Sequence, residues 1–344
     1  MENLALAATT FSRLGGVLMP LLLLCAGLLA TTGLVNLVTP RPWLPGLSRQ
    51  LLTFCAGLLL LGFCLIGWFH WQIHLHVALE LAPEIVPWLN RQLAEMNRGA
   101  AYGLALYDPA NPPRYTIPPW IEYQRYYFWF LCFAVMAVLV HRRLDNRRFQ
   151  AVLYLLMAGQ LAVLYFLADP FRNPLPRFMA EITPWLTAGG SPWEQLGLYM
   201  RLYPRLEFYY NSSYMWFHPP LLFIAYACIT IFAATSLLML IRREPEIELT
   251  GYSYAKLGYF LLTLGMLLGY PWALKAWGPN WWWDPKVSSS VMLWAIFSTY
   301  LHTRLYANKK GMWYFSAALG LLCFVAMIFT FVASYIFPGE HSLM

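Results

Sequence analysis

The chain has 344 residues, of which 60% are apolar by type and 11% are charged, against about 25% charged in ordinary soluble domains. With a mean hydropathy of +0.51, that balance excludes a soluble globular protein and points to an all-α, polytopic membrane bundle, since a span needs about 20 consecutive residues with almost no charge. The net charge of +7 is not gathered on one basic face, so it argues against nucleic acid as a partner and for loop orientation instead.

Taken in chain order, apolar runs bounded by Arg, Lys, Pro or Asp predict about eight transmembrane helices, near 14–38, 51–71, 124–140, 149–169, 219–241, 257–272, 287–303 and 313–337. The first run follows an n-region holding Glu2 and a single cation, Arg13, and exceeds the 7 to 15 apolar residues of a secretory signal, so it reads as the first span. The loops at 39–50, 141–148, 242–256 and 304–312 hold 12 of the 23 cations, among them Arg142, Arg143, Arg147, Arg148, Arg242 and Arg243. Those loops are expected on the cytoplasmic side, with both termini and the long segments 72–123 and 170–218 on the periplasmic side.

Three segments are expected: 1–123 with two spans and an outer segment, 124–218 with two spans and a second outer segment, and 219–344 as a four-span core. Within the outer segments, Glu84 to Met96 and Trp193 to Tyr203, the latter ended by Pro204, read as surface helices. Each has Trp and Leu on one side and charge on the other, which suits a membrane interface or a cover over the protein's own core. The six cysteines form no C-x-x-C pair, so neither a disulfide framework nor a zinc site is expected, and the chain carries no c-type haem motif of its own.

Between the sixth and seventh spans, Trp277, Trp281, Trp282, Trp283 and Asp284 fall within eight residues. An aromatic belt would place Trp at both interfaces, yet 12 of the 16 tryptophans map to the outer side. A broad apolar platform on one face suits a large planar ligand, because stacking and burial scale with ring area. Asp284 beside it requires a partner, either Lys286 or an Arg of a neighbouring loop. Two of the seven histidines, His218 and His341, fall at the level of this loop, at the outward ends of the fifth and eighth spans. His70, His74 and His76 lie at the outward end of the second. Two imidazoles from different helices over a Trp floor outline a haem site. His302, at the cytoplasmic end of the seventh span, is an ionisable group where one is costly and is a second candidate; His141 belongs with the basic anchor of its loop.

The stretch AWGPNWWWDPKVSSSVMLWAIFSTYLHTR, Ala276 to Arg304, resembles the tryptophan-rich "WWD" signature of the haem-handling cytochrome c assembly proteins of the CcsA/ResC type, with CcmC and CcmF as wider relatives. MWFHPPLLFIAY around His218 and GEHSLM around His341 are similar to that family's two periplasmic histidine segments. The resemblance implies that His218 and His341 are axial ligands of a non-covalent, b-type haem cradled by Trp277, Trp281, Trp282, Trp283 and Asp284. It implies that His302 helps hold haem in transit, with a partner from a CcsB/ResB-type companion subunit. The implied activity is presentation of haem at the periplasmic face of a bacterial inner membrane for attachment to apocytochrome c. The family often has Glu after D-P-K, where this chain has Val287. The competing reading is a haem b subunit of a quinol-oxidising respiratory complex, which would retain its haem instead of releasing it. A solute transporter fits less well, because no broken-helix pair is visible.

Overall fold

Most of the long apolar runs form helices that begin before the runs do, because Arg, Pro and Ser at the run starts are tolerated in the first turn. The structure is a computed structural model and describes residues 2–100, 103–188, 191–306 and 310–339. Its long helices are α1 (Glu2–Val38), α2 (Leu44–His76), α4 (Gln124–Arg143), α5 (Arg147–Leu167), α8 (Tyr214–Ile241), α9 (Pro245–Trp277), α10 (Pro285–Thr303) and α11 (Lys310–Ile336). Shorter helices α3 (Val86–Met96), α6 (Pro176–Thr187) and α7 (Pro192–Arg205) lie between them.

Seven of the long helices, all but α10, are long and apolar enough to cross a membrane, against about eight spans expected from sequence. With Ser288, Ser289 and Ser290 in its first turns and His302 in its last, the 19-residue α10 is the more polar exception. It nonetheless runs antiparallel beside α9 for the length of the bundle. Trp294 donates to the Thr263 hydroxyl at 2.9 Å, Phe297 stacks on Phe232 of α8 at 5.8 Å, and Arg304 just past its end pairs with Glu248 in the first turns of α9. The protein is therefore a multi-pass helical membrane bundle.

Helix α8 is the centre, buried along most of its length and packed on α4, α9 and α11. On the other side α1 packs on α2 and α5, and α2 on α4. Close approach there depends on glycine: a methyl group on Gly62 would come within 2.0 Å of the Tyr127 hydroxyl.

Prolines separate the observed helix ends from the expected ones. Pro219 and Pro220 lie inside α8, not at its start. Pro219 has no N–H for the Met215 carbonyl four residues back, and the Trp120 indole N–H takes that acceptor instead at 2.6 Å. Pro204 likewise does not end α7, which runs to Arg205 and continues as a π turn over Leu206–Tyr210. Sequence reasoning missed α6, although Pro176 at its first turn is a helix-start signal.

The segments between α2 and α4, and between α5 and α8, gather at the end of the bundle that carries the tryptophan loop. His70 donates through Nδ1 to the Ile117 carbonyl at 2.8 Å, and His74 to that of Tyr115 at 2.9 Å. Asn211 accepts from the Thr116 N–H at 2.7 Å and donates to the Arg114 carbonyl at 2.8 Å. The His70 and His74 rings thus fasten the outer segment to the end of α2. Helices α3 and α7 turn Leu89, Leu93, Leu196 and Leu202 inward, while Trp88 and Trp193 meet edge to face at 5.7 Å on the outside.

Candidate functional site

His218 lies in the second turn of α8, one residue before the proline pair. Its Nδ1–H is donated to the Gly265 carbonyl of α9 at 2.6 Å, which fixes the tautomer and leaves Nε2 as the lone-pair nitrogen. Its ring lies nearly parallel to that of Trp272, at 22° and 6.3 Å between centroids. Gly269 makes the fit possible: a Cβ there would stand 2.5 Å from His218 Cε1. Trp272 is in turn anchored by its indole N–H to the Phe208 carbonyl of the π turn at 2.9 Å.

His218 opens on a cavity of about 590 Å³ between α4, α8, α9, α10 and α11, within the range of about 300–1,000 Å³ typical of small-molecule and cofactor sites. The π turn brings Tyr209 and Tyr210 to its wall, α8 contributes Met215 and Phe223, and α11 contributes Phe331 and Tyr335. A π turn at such a wall is a recurrent feature of functional sites.

The tryptophan loop closes one side. Gly278, with φ of +73°, ends α9, and a 3-10 turn over Gly278–Trp283 carries the indoles. Trp281 is buried at 6% exposure and stacks on Trp282 at 4.1 Å, and Tyr270 meets Trp281 edge-on at 5.3 Å. Trp277 packs edge-on against Trp272 at 4.7 Å. Trp277, Trp281 and Trp282 line the cavity, as does Val287. Trp283 does not; it is 87% exposed. Asp284 is also outside the lining, and its function in the fold is local: Oδ1 accepts from the backbone N–H groups of Lys286 and Val287 at 2.9 and 3.2 Å, capping α10. Asp284 thus meets Lys286 through the backbone N–H, and its carboxylate also acts electrostatically on the Lys286 side chain.

Of the expected histidines among the described residues, His218 alone lines the cavity. His341 lies outside the described residues. Two residues before it in sequence, Gly339 sits against the loop: a Cβ there would be 2.5 Å from Pro285 Cδ and 2.7 Å from Asp284 Oδ2. His302 is at the opposite end of the bundle, exposed, with Nδ1–H donated to the Ser298 carbonyl in its own helix at 2.8 Å.

Sequence reasoning missed the polar wall of this cavity. Arg125 enters from the first turn of α4, and Glu122, Arg177 and Arg205 lie beside it. Glu122 accepts from the backbone N–H groups of Arg177 and Phe178 at 3.1 and 3.0 Å, capping α6. Burial outweighs those bonds and the nearby arginines, raising its carboxyl above the ordinary range. Arg205 pairs with Glu181 at 2.9 Å, and Glu181, raised by burial against that arginine's opposing pull, also accepts from the Tyr210 hydroxyl at 3.2 Å. One signal was available: Arg125 stands at the end of a span opposite the cation-rich loops.

Residues 120–339 match the cytochrome C assembly protein family. The chain belongs to that family. Among individual proteins, it is 44% identical over 84 residues to the cytochrome c biogenesis protein CcsA of Cyanidium caldarium, covering 23% of this chain and 28% of that protein. It is 34% identical over 114 residues to CcsA of Chlamydomonas reinhardtii, covering 29% and 32%. The matched stretches thus span about a third or less of those relatives. A solved structure of the cytochrome c haem lyase CcmF superimposes with a TM-score of 0.62 at 18% identity, over 96% of this chain and 47% of that one, and shares its fold. The family match begins just before α4 and takes in every element around the cavity.

Proposed function

We propose that this cytochrome c assembly family member is a haem-handling membrane protein of cytochrome c biogenesis, holding haem at the tryptophan-loop face for covalent attachment to apocytochrome c. The observation that carries this reading is His218: its Nδ1 is occupied by Gly265, its ring is backed by Trp272, and its Nε2 is left for an iron beside a cavity walled by indoles. These groups fit haem. An imidazole with one nitrogen fixed is a suitable axial donor, Trp277, Trp281 and Trp282 offer ring-sized apolar surface, and the polar wall offers cations.

His341 is the proposed second axial ligand. Gly339 against Asp284 supports this, since two residues advance the chain no more than about 7 Å. Haem supplies, when bound, the vinyl carbons to which the thiols of an apocytochrome C-x-x-C-H motif add. The chain's own residues hold the ring, exclude water from its face and leave one edge accessible at the exposed Trp282, a matter of positioning and not of acid–base chemistry. Binding is non-covalent, the chain having no C-x-x-C-H, and the haem is b-type, the form whose two vinyl groups are still free for attachment. The 12 cations of the opposite loops favour a periplasmic setting for the tryptophan loop in a bacterial inner membrane. His302, far from the cavity, is proposed for a second haem on the inner half, its other ligand coming from a CcsB/ResB-type companion. Family membership favours this reading over an electron-transfer subunit.

The test is a reduced-minus-oxidised spectrum with pyridine haemochrome on the detergent-purified chain and on His218→Ala and His341→Ala. Each substitution is expected to remove the outer haem signal; unchanged haem content in both would overturn the assignment.

A further inference from the structure

The cations around the cavity are not equivalent. Arg205 is matched by Glu181 at 2.9 Å, Arg177 is exposed at the rim, and Lys286 enters in the first turn of α10 beside Asp284. Arg125 differs. It lies on the α4 wall, away from the tryptophan loop in sequence and in element, and among the described residues it forms no ion pair. Its Nε is buried without a hydrogen-bond partner, as is that of Arg205, but Arg205 has the Glu181 carboxylate and Arg125 has none. The nearest carboxylate in sequence, Glu122, has both oxygens engaged by backbone N–H groups of α6.

The guanidinium is nonetheless held in place. It stacks over the Tyr126 ring, 5.1 Å from its centroid, and the Tyr126 hydroxyl bonds that of Tyr335 on α11 at 3.2 Å. A buried guanidinium with an unsatisfied donor is costly unless an anion completes it, and a planar fork aligned by a ring suits a carboxylate. The tryptophan loop supplies broad apolar lining, with Trp281 stacked on Trp282.

We propose that Arg125, stacked on Tyr126, binds a carboxylate of the ligand, so that the cavity takes an amphipathic porphyrin acid-edge toward α4 and apolar-edge toward Trp281 and Trp282. This rests on the haem-binding reading and adds to it an orientation: the carboxylates are sequestered and the vinyl edge is turned to the tryptophan side. The ligand class is thereby narrowed to tetrapyrroles with free carboxylates.

The experiment titrates the full-length protein in detergent with haem and with haem dimethyl ester, which keeps the iron and the ring and removes both charges, following the Soret difference spectrum. Wild type is expected to bind haem at least about tenfold more tightly than the ester, the scale of one charge-assisted hydrogen bond. Arg125→Gln is expected to lose that preference, weakening haem by about the same factor while leaving the ester affinity unchanged. Arg125→Lys, a point charge without the fork, is expected to fall between them and serves if the Gln variant does not fold. Equal affinity of wild type for haem and ester, or an undiminished preference in Arg125→Gln or in a folded Arg125→Lys, would overturn the anchor while leaving haem binding intact. Wild type that binds neither compound would overturn the haem reading itself, and the anchor with it.

Discussion

The Nδ1–H of His218 is donated to the Gly265 carbonyl at 2.6 Å, so the backbone of α9 sets which imidazole nitrogen faces the cavity. Gly269, one turn further along α9, leaves the space the ring occupies. Gly269→Ala is expected to push the ring off this position without exposing new polar surface. Haem affinity should fall about tenfold or more, the usual effect of disturbing the group that orients a ligating histidine. Haem content per purified protein, compared at equal melting temperature, checks this; full occupancy in Gly269→Ala would show that ring placement is not limiting.

The tryptophans of the loop divide into two kinds. Trp281, buried and stacked, faces the cavity, whereas Trp283 is 87% exposed outside its lining. Trp281→Phe keeps an aromatic ring but reduces the stacking area, and should lower haem retention during gel filtration. Trp283→Ala should leave retention at the wild-type level. If it alone impairs maturation of an apocytochrome in cells, Trp283 contacts the acceptor and not the haem.

Asp284 is the N-cap of α10. Its replacement by Ala should cost about 0.5–2 kcal/mol, the range for a lost cap, and replacement by Asn very little. Melting temperature and haem content should therefore move together, low in Asp284→Ala and near wild type in Asp284→Asn. A haem deficit in a thermally stable Asp284→Asn protein would instead give the carboxylate charge a direct function in binding.

The helical bundle was legible because lipid demands long uncharged runs, and each expected span falls on an observed helix, six wholly inside it and those at 149–169 and 313–337 overrunning its end by one or two residues. The ends were not, since Pro219, Pro220 and Pro204 read as boundaries in a one-dimensional pattern. Their freed carbonyls find partners only in three dimensions, as Met215 does in Trp120. For α10, Ser288–Ser290 and His302 lower the apolar character, and packing on α9 and α11 makes up for it. At the site, His218 and three of the four loop tryptophans were accessible from spacing alone. Arg125, Tyr209 and Tyr210 were not, because the π turn and the first turn of α4 come together only when two outer segments fold back over the bundle.

Glu122 provides a pH test of that folded-back wall. Burial raises its carboxyl above the unfolded value near 4.5, so the folded protein holds the proton more tightly than the unfolded chain does. Linkage then requires the contribution of Glu122 to stability to be fully present below the unfolded pKa and to be lost as pH rises through the folded one. Glu122→Gln cannot titrate and should lose this pH-dependent part, while still offering one oxygen to the Arg177 and Phe178 N–H groups. The difference in melting temperature, wild type minus Glu122→Gln, should therefore increase on acidification from pH 7 toward pH 4.5. A difference that stays constant over that interval would mean that solvent reaches the carboxylate, and that the segment preceding α6 does not close over α4.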